Sequence, residues 1–471
     1  MATRTSSIVS INPATEEVLA SYEPFDQEQV DRALDEAQDA FVAWRERSFA
    51  ERAIPMKRLA ALLRERIERY ARLLTLEMGK PITEAKAEIE KCAFNCDFYA
   101  DHAAEFLRDQ PAPANGTRSY VAFQPLGIVL AVMPWNYPFW QVIRFAAPAL
   151  MAGNAAVLKH ASNVPQAALA LEALMRDAGF PEGLFRTLLL AGAQVEPVIA
   201  DPRIRGVTLT GSSDTGRRIA SLAGQALKKC VLELGGSDPF IVLSDADIEE
   251  ATTIGTRARN QNTGQSCIAA KRFLIEQDVL ADFERRFAAK VAALRIGDPL
   301  DPTTQIGPLA RPDLRDALER QVAASVKLGA RILCGGERWG TRGSFYAPTV
   351  IAGVTRDMPV FNEETFGPVA AVMKVRDAAE AIVLANDSPY GLGGNLWSKD
   401  LPRAESLARR IDTGQVFING MTASDPRLPF GGTKQSGYGR ELSEYGIKEF
   451  VNIQTIWIGP ARAATPAPPS E

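Results

Sequence analysis

One cysteine, Cys267, stands in the stretch QNTGQSCIAA (261–270), between small polar residues and an apolar run. A thiolate adds readily to an electrophilic carbon such as that of an aldehyde, so this cysteine is a candidate nucleophile. Free cysteine is also among the most buried residue types, and a core position is the simpler interpretation of the stretch taken alone. Features elsewhere in the chain have to decide between the two interpretations.

Histidine is scarce in this chain, since His102 and His160 are the only two among 471 residues. A hydrolase built on a cysteine–histidine pair would have to use one of them, which disfavours that class of enzyme. If Cys267 is catalytic, we expect its proton acceptor to be a carboxylate, a lysine or water.

The chain also contains a cysteine pair, Cys92 and Cys96, four residues apart in EIEKCAFNCDF and therefore on one face of a predicted helix. Such a pair with His102 nearby is weak evidence for a metal site, and helix packing explains the spacing better. We predict no metal. Five cysteines in so long a chain also do not indicate a disulfide framework.

A glycine turn lies in GVTLTGSSDTGRR, where Gly211 and Gly216 stand between a predicted strand and a predicted helix. Free N–H groups at the start of a helix bind phosphate oxygens. The turn is not a Walker loop, because Arg217 and Arg218 follow Gly216, and it is not a GxGxxG motif. Taken alone it is compatible with a tight turn that binds nothing.

From residue 126 onward, predicted strands alternate with predicted helices, and these elements must position the candidate residues. Strand-like runs such as GIVLAVMP, NAAVLK and RTLLLAG alternate with helical stretches such as PQAALALEALMRDAG, and a second set begins near residue 237 with FIVLS. Alternation of this kind predicts parallel sheets with helical crossovers. We therefore predict an α/β protein with two doubly wound parallel-sheet domains and a small additional β flap.

Three helices are predicted between residues 26 and 107. Apolar residues recur at spacings of three and four over residues 26–45, with Asp26 as a plausible N-cap. Ser48 and Glu51 form the pattern of a capping box for a second helix, and residues 82–107 are predicted to form a third.

Composition excludes several classes of protein. The net charge is −4, 46% of residues are hydrophobic and 23% are charged. The chain has no strongly basic stretch, so a nucleic-acid partner is not expected. The apolar runs are shorter than a membrane span, and the N-terminal MATRTSSIVSINPATEE has no apolar signal core. We expect a cytoplasmic protein that binds neither nucleic acid nor membrane.

Seven separated motifs resemble the NAD(P)-dependent aldehyde dehydrogenase superfamily, and within it the bacterial NAD(P)-type succinate-semialdehyde dehydrogenases. They are PWNYPFW (134–140), LKHAS (158–162), TGSSDTG (210–216), LELGGSDP (232–239), NTGQSC (262–267), EETFGP (363–368) and FGGTKQSGYGRE (430–441). The resemblance spans nearly the whole chain, and ELGG followed at the family spacing by GQ-x-C is highly specific. It implies an oxidoreductase with Cys267 as its nucleophile.

The resemblance implies a role for each catalytic residue. Cys267 attacks the aldehyde carbon, and Asn136 and the backbone N–H of Cys267 hold the oxyanion. Hydride passes to the nicotinamide, and a thioester remains on the cysteine. Glu233, in the otherwise apolar CVLELGG, is implied as the base for its hydrolysis, with a pKa raised by burial. Without the resemblance, Glu233 is more simply a strand-end glutamate that faces water.

The resemblance also implies a cofactor site for NADP or NAD. The predicted residues are Trp135, Lys159, Ser162, Gly211, Ser212, Gly216, Leu234, Gly235, Glu364 and Phe366. Lys159 is implied to touch the adenosine ribose, and Glu364 and Phe366 to hold the nicotinamide ribose and ring. Ser162 stands where strictly NAD-using relatives often have a glutamate that would repel a 2′-phosphate. We therefore expect NADP to be accepted.

A carboxylate-bearing aldehyde needs a cation in its pocket. Arg144, two helical turns after Asn136, matches an arginine that anchors succinic semialdehyde in relatives. A second arginine of some relatives is replaced here by Gln261, and either Ser424 or Arg427 is expected to add a donor. The predicted pocket residues are Arg144, Ser424, Trp140 and Phe430.

The implied function is oxidation of succinic semialdehyde to succinate. One alternative is an aldehyde dehydrogenase for another aliphatic or aromatic aldehyde, and Arg144 distinguishes the two. A second alternative is a non-catalytic binding protein that retains the fold. The presence of Cys267, Glu233 and Asn136 together argues against it.

The resemblance further implies the division of the chain. The predicted parts are a Rossmann-like cofactor-binding domain (1–110 and 126–235), a catalytic domain (236–441), oligomerisation strands (111–125 and 446–459) and a disordered tail (460–471). The β-rich FVNIQTIWI corresponds to a strand that joins a neighbouring subunit in relatives, where pairing removes an open sheet edge. We expect a homodimer or a homotetramer.

Overall fold

The computed structural model describes residues 7–460 of the chain. Two large, mainly parallel sheets and the helices that flank them account for most of these residues, which confirms the predicted α/β class. From residue 461 onward the predicted tail lies outside the described residues.

The first large sheet is built from the strands predicted after residue 126. They are β5 (Ile128–Met133), β6 (Ala155–His160), β7 (Phe185–Thr187), β8 (Ile204–Thr210), β9 (Lys229–Glu233) and β19 (Gly437–Tyr438). The order is β19-β9-β8-β5-β6-β7, and β19 alone among these strands is antiparallel to its neighbour. The predicted RTLLLAG strand extends too far, since β7 ends at Thr187. The leucines at 188–190 are buried in the core but lie outside the strand.

The second large sheet follows in the chain. Its strands are β10 (Asp238–Val242), β11 (Ala270–Glu276), β12 (Arg331–Cys334), β13 (Thr349–Ala352), β14 (Val369–Val375), β16 (Gly393–Trp397) and β17 (Gln415–Ile418). The order is β12-β13-β14-β11-β10-β16-β17, with β12 antiparallel at one edge. The chain passes from the first large sheet to the second between β9 and β10, next to the predicted domain boundary at 235/236. The domain bounds themselves remain predictions.

Three small sheets complete the strands. They contain β1 (Ile8–Ile11) with β2 (Val18–Tyr22), β15 (Tyr390–Gly391) with β18 (Thr433–Lys434), and β3 (Gln110–Pro111) with β4 (Arg118–Pro125) and β20 (Val451–Ile458). The last of these contains the two predicted flap segments, since β20 pairs antiparallel with β4 along its whole length.

The helices include the three predicted near the N-terminus and one that was not predicted, α3. Within the described residues they are α1 (Gln27–Trp44), α2 (Phe49–Glu65), α3 (Ile67–Met78), α4 (Ile82–Phe106), α5 (Trp140–Met151), α6 (Pro165–Asp177), α7 (Val195–Ala200), α8 (Ser213–Gln225), α9 (Ile248–Asn260), α10 (Leu280–Ala292), α11 (Pro312–Lys327), α12 (Pro359–Asn362), α13 (Ala378–Asn386), α14 (Leu401–Ala408) and α15 (Ser443–Ile447). Asp26 is an N-cap and Ser48 forms a capping box, both as predicted, and Asp26 forms a capping box as well.

The centre of the first sheet is buried on both faces, since all six residues of β5 are buried. A continuous apolar run is typical of such parallel strands. The carboxyl ends of β5, β6, β8 and β9 meet at one edge of the sheet, which is where ligands bind in open α/β folds. The candidate residues after these strands therefore lie close together.

Candidate active site

Cys267 lies where two cavities meet. The first cavity, of about 380 Å³, is lined by residues of α4 and α5 and by the loop around Ser424, and we call it the α4–α5 cavity. The second, of about 440 Å³, follows the carboxyl ends of the first sheet's strands, and we call it the strand-end groove. Cys267 and Gln141 line both. The cysteine is thus accessible from two sides, which a nucleophile that meets two reactants requires.

The turn before Cys267 is conformationally strained. Asn262, Thr263 and Gly264 have φ values of 56°, 54° and 72°. Two non-glycine residues in this left-handed region cost of order 1–3 kcal/mol each, so the surroundings must hold them. Glu84 accepts a hydrogen bond from the Asn262 N–H at 2.6 Å, and the Arg259 guanidinium donates to the Gly264 carbonyl at 2.6 Å. The turn fixes the direction in which the cysteine enters the site.

The Cys267 thiol is protonated in the free enzyme at neutral pH. Burial raises its pKa to about 12, while the positive charges of Arg144 and Lys271 act in the opposite direction. Lys271 Nζ donates to the carbonyls of Ser266 and Cys267 at 3.1 and 2.9 Å and so ties the amine to this turn. Formation of the nucleophile therefore needs a proton acceptor. A thiolate of high pKa is intrinsically a strong nucleophile.

The two predicted oxyanion donors stand on either side of this turn. Asn136 accepts from Gln141 Nε2 at 3.1 Å, and its own Nδ2 donates to the Gln265 carbonyl at 3.1 Å. The Cys267 N–H donates to no acceptor among residues 7–460. These bonds direct the amide N–H₂ of Asn136 towards the cysteine turn. Its role as an oxyanion donor remains a prediction.

Two buried side chains that the sequence did not reveal hold the loop containing Asn136. His160 Nε2 donates to the Pro138 carbonyl at 2.9 Å, and burial lowers the histidine pKa to about 4, so the ring is neutral. Glu88 accepts the backbone N–H groups of Phe139 and Trp140 at 2.9 and 3.0 Å, at the start of α5. No local signal in the sequence marks either contact.

Glu233 is buried at the end of β9. Burial, with the negative charge of Glu441, raises its pKa well above the ordinary value, in agreement with the prediction. Neither carboxylate oxygen has a hydrogen-bond partner among residues 7–460, and a methyl group added to Gly431 would lie 2.7 Å from Oε1. The carboxylate does not line either cavity. It has to rotate to act on a group bound to Cys267.

Arg144 lines the α4–α5 cavity, as predicted, but it is not a free cation. Its guanidinium is ion-paired with Glu441, and both side chains are buried. A second nitrogen donates to Thr210 Oγ1 at 3.2 Å, and the group lies 4.7 Å from the centre of the Phe430 ring. Much of its capacity to bind a substrate carboxylate is therefore already engaged. The sequence motif around Arg144 did not predict its ion pair with Glu441.

The other predicted pocket residues, Trp140, Phe430 and Ser424, line the same cavity. Ser424, and not Arg427, supplies the additional polar group, because Arg427 is exposed and bonded to Asp425. The Ser424 hydroxyl accepts a hydrogen bond at 2.6 Å from the amine of a residue that the sequence did not reveal, Lys91 on α4.

Eight of the ten predicted cofactor residues line the strand-end groove: Trp135, Lys159, Gly211, Ser212, Leu234, Gly235, Glu364 and Phe366. Ser162 is exposed beyond the end of β6 and does not line the groove. Gly216 also does not line it. A methyl group there would lie 2.5 Å from Leu234, so helix–strand packing accounts for this glycine. A contact of either residue with a cofactor remains a prediction.

The groove fits a dinucleotide. Lys159 is half-buried, and its side-chain amine forms no hydrogen bond or ion pair within residues 7–460, so its cation is available for an anion. Ser212 caps the start of α8, whose free N–H groups suit a diphosphate. Glu364 accepts from the Gly236 N–H at 3.0 Å, and a methyl group on Gly235 would lie 2.5 Å from its other oxygen. These groups suit phosphate and ribose.

Aromatic and cationic side chains close the opposite wall of the groove. The rings of Trp135 and Phe366 meet edge to face with centroids 5.7 Å apart. Arg311, which the sequence did not reveal, lies 5.7 Å from the centre of the Trp135 ring. Flat rings at this position suit a planar nucleotide base or nicotinamide.

Two further sequence expectations concern metals and membranes. Cys92 and Cys96 are buried and free on α4, and no cluster of three or more potential ligands in the described part of the chain is placed to bind a metal ion. No helix within residues 7–460 has both the length and the hydropathy to cross a bilayer.

A cysteine between a dinucleotide-shaped groove and a separate cavity, on parallel α/β sheets, defines an oxidoreductase that uses a nicotinamide cofactor. The chain belongs to the aldehyde dehydrogenase family, because the family model matches residues 1–456. It is accordingly an NAD(P)-dependent oxidoreductase that acts on an aldehyde group.

Relatives and solved structures resemble the chain over almost its whole length. It is 50% identical to a probable succinate-semialdehyde dehydrogenase (NADP(+)) of Synechocystis sp., over 96% of this chain and 100% of that protein. It is 49% identical to succinate-semialdehyde dehydrogenase (NADP(+)) 1 of Mycobacterium tuberculosis, over 96% and 99%. The crystal structure of succinic semialdehyde dehydrogenase from Streptococcus pyogenes with NADP⁺ matches at 40% identity and a TM-score of 0.94, over 96% and 100%.

Proposed function

We propose that the enzyme oxidises succinic semialdehyde to succinate with NADP⁺. The observation that carries the proposal is that Cys267 lines the same cavity as the cationic side chains of Lys91, Arg144 and Arg257. Such a cavity suits an aldehyde with a carboxylate at its far end. Relatives named for this substrate and cofactor, at 49–50% identity, support the same conclusion.

In the first step the Cys267 thiol gives its proton to water, and its sulfur forms a bond to the aldehyde carbon. The carbonyl electron pair moves to the oxygen, and we assign Asn136 Nδ2 and the Cys267 N–H as the donors that stabilise it. The strand-end groove would hold NADP⁺, which would supply the acceptor for the hydride that leaves that carbon. Cys267 then carries the acyl group as a thioester.

Hydrolysis of the thioester is the task of Glu233. Its carboxylate accepts a proton from water, the hydroxide oxygen bonds to the acyl carbon, and the carbon–sulfur bond breaks to release the acid and the thiolate. In its present position burial and Glu441 keep the pKa of Glu233 high. Rotation towards Cys267 takes it away from Glu441, which favours its ionised form as a base.

The choice of NADP over NAD is assigned to Lys159 in the strand-end groove and to Ser162, which lies outside it beyond the end of β6. Lys159 offers a cation without a partner among the described residues. The side chain at the end of β6 is the neutral Ser162, where a carboxylate would repel a 2′-phosphate. Together they accommodate a dianionic group on the adenosine ribose.

The test compares NADPH formation from succinic semialdehyde with that from butanal, which has the same chain length but lacks the carboxylate. Each aldehyde is assayed with NADP⁺ and with NAD⁺. We expect a large preference in kcat/KM for succinic semialdehyde and for NADP⁺. Equal rates with both aldehydes would leave the family chemistry intact and rule out the proposed substrate.

We also propose that the enzyme is a homodimer or a pair of dimers. One edge of β20 is paired with β4, and no strand within residues 7–460 pairs with its other edge. The strand exposes Ile453 and Trp457, at 63% and 50%. A second copy of the chain would cover this edge. Light scattering should give at least twice the chain mass, and Ile453→Asp should lower it.

We place the enzyme in the cytoplasm. The five cysteines are all free, including Cys92 and Cys96 on one face of α4. A catalytic thiol and unpaired structural thiols suit a reducing compartment. Cell fractionation with an antibody against the chain tests this location, and recovery outside the cytoplasmic fraction would contradict it.

A further inference from the structure

Lys91 lines the α4–α5 cavity, and the proposed chemistry gives it no individual role. Its amine donates to Ser424 Oγ at 2.6 Å and lies 4.3 Å from the centre of the Trp140 ring. The same cavity contains Cys267. The lysine is thus held by a helix on one side and by the loop before Phe430 on the other.

The charged side chains around this cavity differ in whether they have an ion-pair partner. Arg144 is ion-paired with Glu441, and Glu88 with Lys80. Lys91 has no ion pair with a carboxylate among residues 7–460 and is bonded to a neutral hydroxyl. Glu88 and Asp425 act on the Lys91 amine only at longer range, so this half-buried cation lacks a carboxylate in direct contact with it.

The hydroxyl of Ser424 is also available to a ligand. A serine oxygen that accepts a hydrogen bond from an ammonium group keeps its own O–H free to donate. Lys91 and Ser424 together therefore present two donors at neighbouring positions. A carboxylate, with two oxygens and several acceptor sites, matches such a pair.

We propose that Lys91, with Ser424, binds the distal carboxylate of the substrate and sets the preference for an acid-bearing aldehyde. Arg144 is then mainly the buried partner of Glu441 and helps to form the wall of the cavity. This assignment rests on the proposed function, because it names the group that recognises the substrate of that reaction.

The decisive variant is Lys91→Met, which keeps a long side chain over the Trp140 ring and removes the charge. We expect kcat/KM for succinic semialdehyde to fall by about 10- to 100-fold, the effect of losing a charged hydrogen bond, and kcat/KM for butanal to be unchanged or to rise. Lys86→Met is the matched control, since Lys86 lies on the same helix, pairs with Glu68 and does not line the cavity. It should change neither value.

A second measurement does not depend on turnover. Succinate should protect Cys267 from alkylation by iodoacetamide more strongly than butanoate does, and Lys91→Met should abolish the difference. Lys91→Arg should retain part of it, and Ser424→Ala should weaken it. Equal losses with both aldehydes, or an unchanged preference in Lys91→Met, would overturn the assignment.

The two proposals can fail separately. If the wild-type enzyme does not prefer succinic semialdehyde to butanal, the proposed substrate is wrong. The protection assay then decides on Lys91 alone: a loss of succinate protection in Lys91→Met supports an anion site there, and an unchanged or absent protection excludes it.

Discussion

The guanidinium of Arg144 and the carboxylate of Glu441 form a buried ion pair beside the nucleophile. Arg144 comes from α5, and Glu441 from the segment that follows β19. The pair therefore joins the wall of the α4–α5 cavity to a distant part of the chain. It also places a negative charge next to Glu233, where that charge contributes to the raised pKa.

Removal of one partner should destabilise the fold. We expect Arg144→Met to lower the free energy of unfolding by about 3–5 kcal/mol, because Glu441 would remain buried without a counter-charge. The measurement is urea denaturation followed by tryptophan fluorescence. Arg144→Met combined with Glu441→Gln should cost less than the sum of the two single variants. Unchanged stability of Arg144→Met with loss of substrate preference would instead support the original assignment of Arg144 as the substrate anchor.

Replacement of Glu233 by glutamine should separate the two halves of the reaction. Glu233→Gln keeps the shape of the side chain but cannot accept the proton of water, so steady-state turnover should fall by roughly 10²- to 10⁴-fold. A rapid burst of NADPH, equal to the number of active sites, should remain. Cys267→Ala should give no burst. Loss of the burst in Glu233→Gln would place Glu233 in the step before hydride transfer.

A carboxylate at residue 162 should change the choice of cofactor. We expect Ser162→Glu to lower kcat/KM for NADP⁺ on the order of 10- to 100-fold through repulsion of the 2′-phosphate, with little change for NAD⁺. Ser162→Gln is the control, because it has the same size without the charge. A similar loss for both cofactors, or in both variants, would show that the exposed Ser162 has no part in cofactor choice.

The glycine beside Glu364 should not tolerate a side chain. In Gly235→Ala the new methyl group would lie 2.5 Å from a carboxylate oxygen of Glu364, which must move. We expect the Kd for NADP⁺, measured by calorimetry, to rise on the order of 10-fold through loss of one charged hydrogen bond. Gly192→Ala is the control, since nothing lies within 4 Å of its added methyl group. Equal Kd values for NADP⁺ in Gly235→Ala and wild type would contradict the assignment of Glu364 to the cofactor site.

Substrate preference should depend on pH. Burial lowers the pKa of Lys91 to about 8; Arg144 acts in the same direction, and Cys92, Glu88 and Asp425 oppose it. The lysine therefore loses its charge as the pH rises through about 8. The ratio of kcat/KM for succinic semialdehyde to that for butanal should fall between about pH 7 and pH 9. The ratio removes the effect of Cys267 ionisation, which both aldehydes share. A flat ratio in the wild type would contradict the role of Lys91.

Short-range patterns predicted the framework of the site well. The run GIVLAVMP predicted β5 because a strand buried on both faces is apolar throughout, and Asp26 and Ser48 predicted helix starts because capping is local. The positions of Cys267 and Glu364 beside the groove followed from motifs that resemble a known family.

Long-range contacts were not predictable in this way. Lys91 bonds to Ser424, and Arg144 pairs with Glu441, across separate helices and loops. No periodicity or local motif specifies a partner hundreds of residues away. For the same reason the resemblance assigned Arg144 to the substrate without its counter-ion. The unpaired orientation of Glu233 is likewise a property of packing, since Gly431 sits against its carboxylate.

The meeting of two separate cavities at Cys267 has a consequence for the history of such an enzyme. In the proposed assignment, the α4–α5 cavity on one side of the sulfur selects the aldehyde, and the strand-end groove on the other selects the dinucleotide. Substitutions in one chamber leave the other chamber's shape intact. Substrate choice and cofactor choice can therefore change independently in evolution, except at Cys267 and Gln141, which line both chambers.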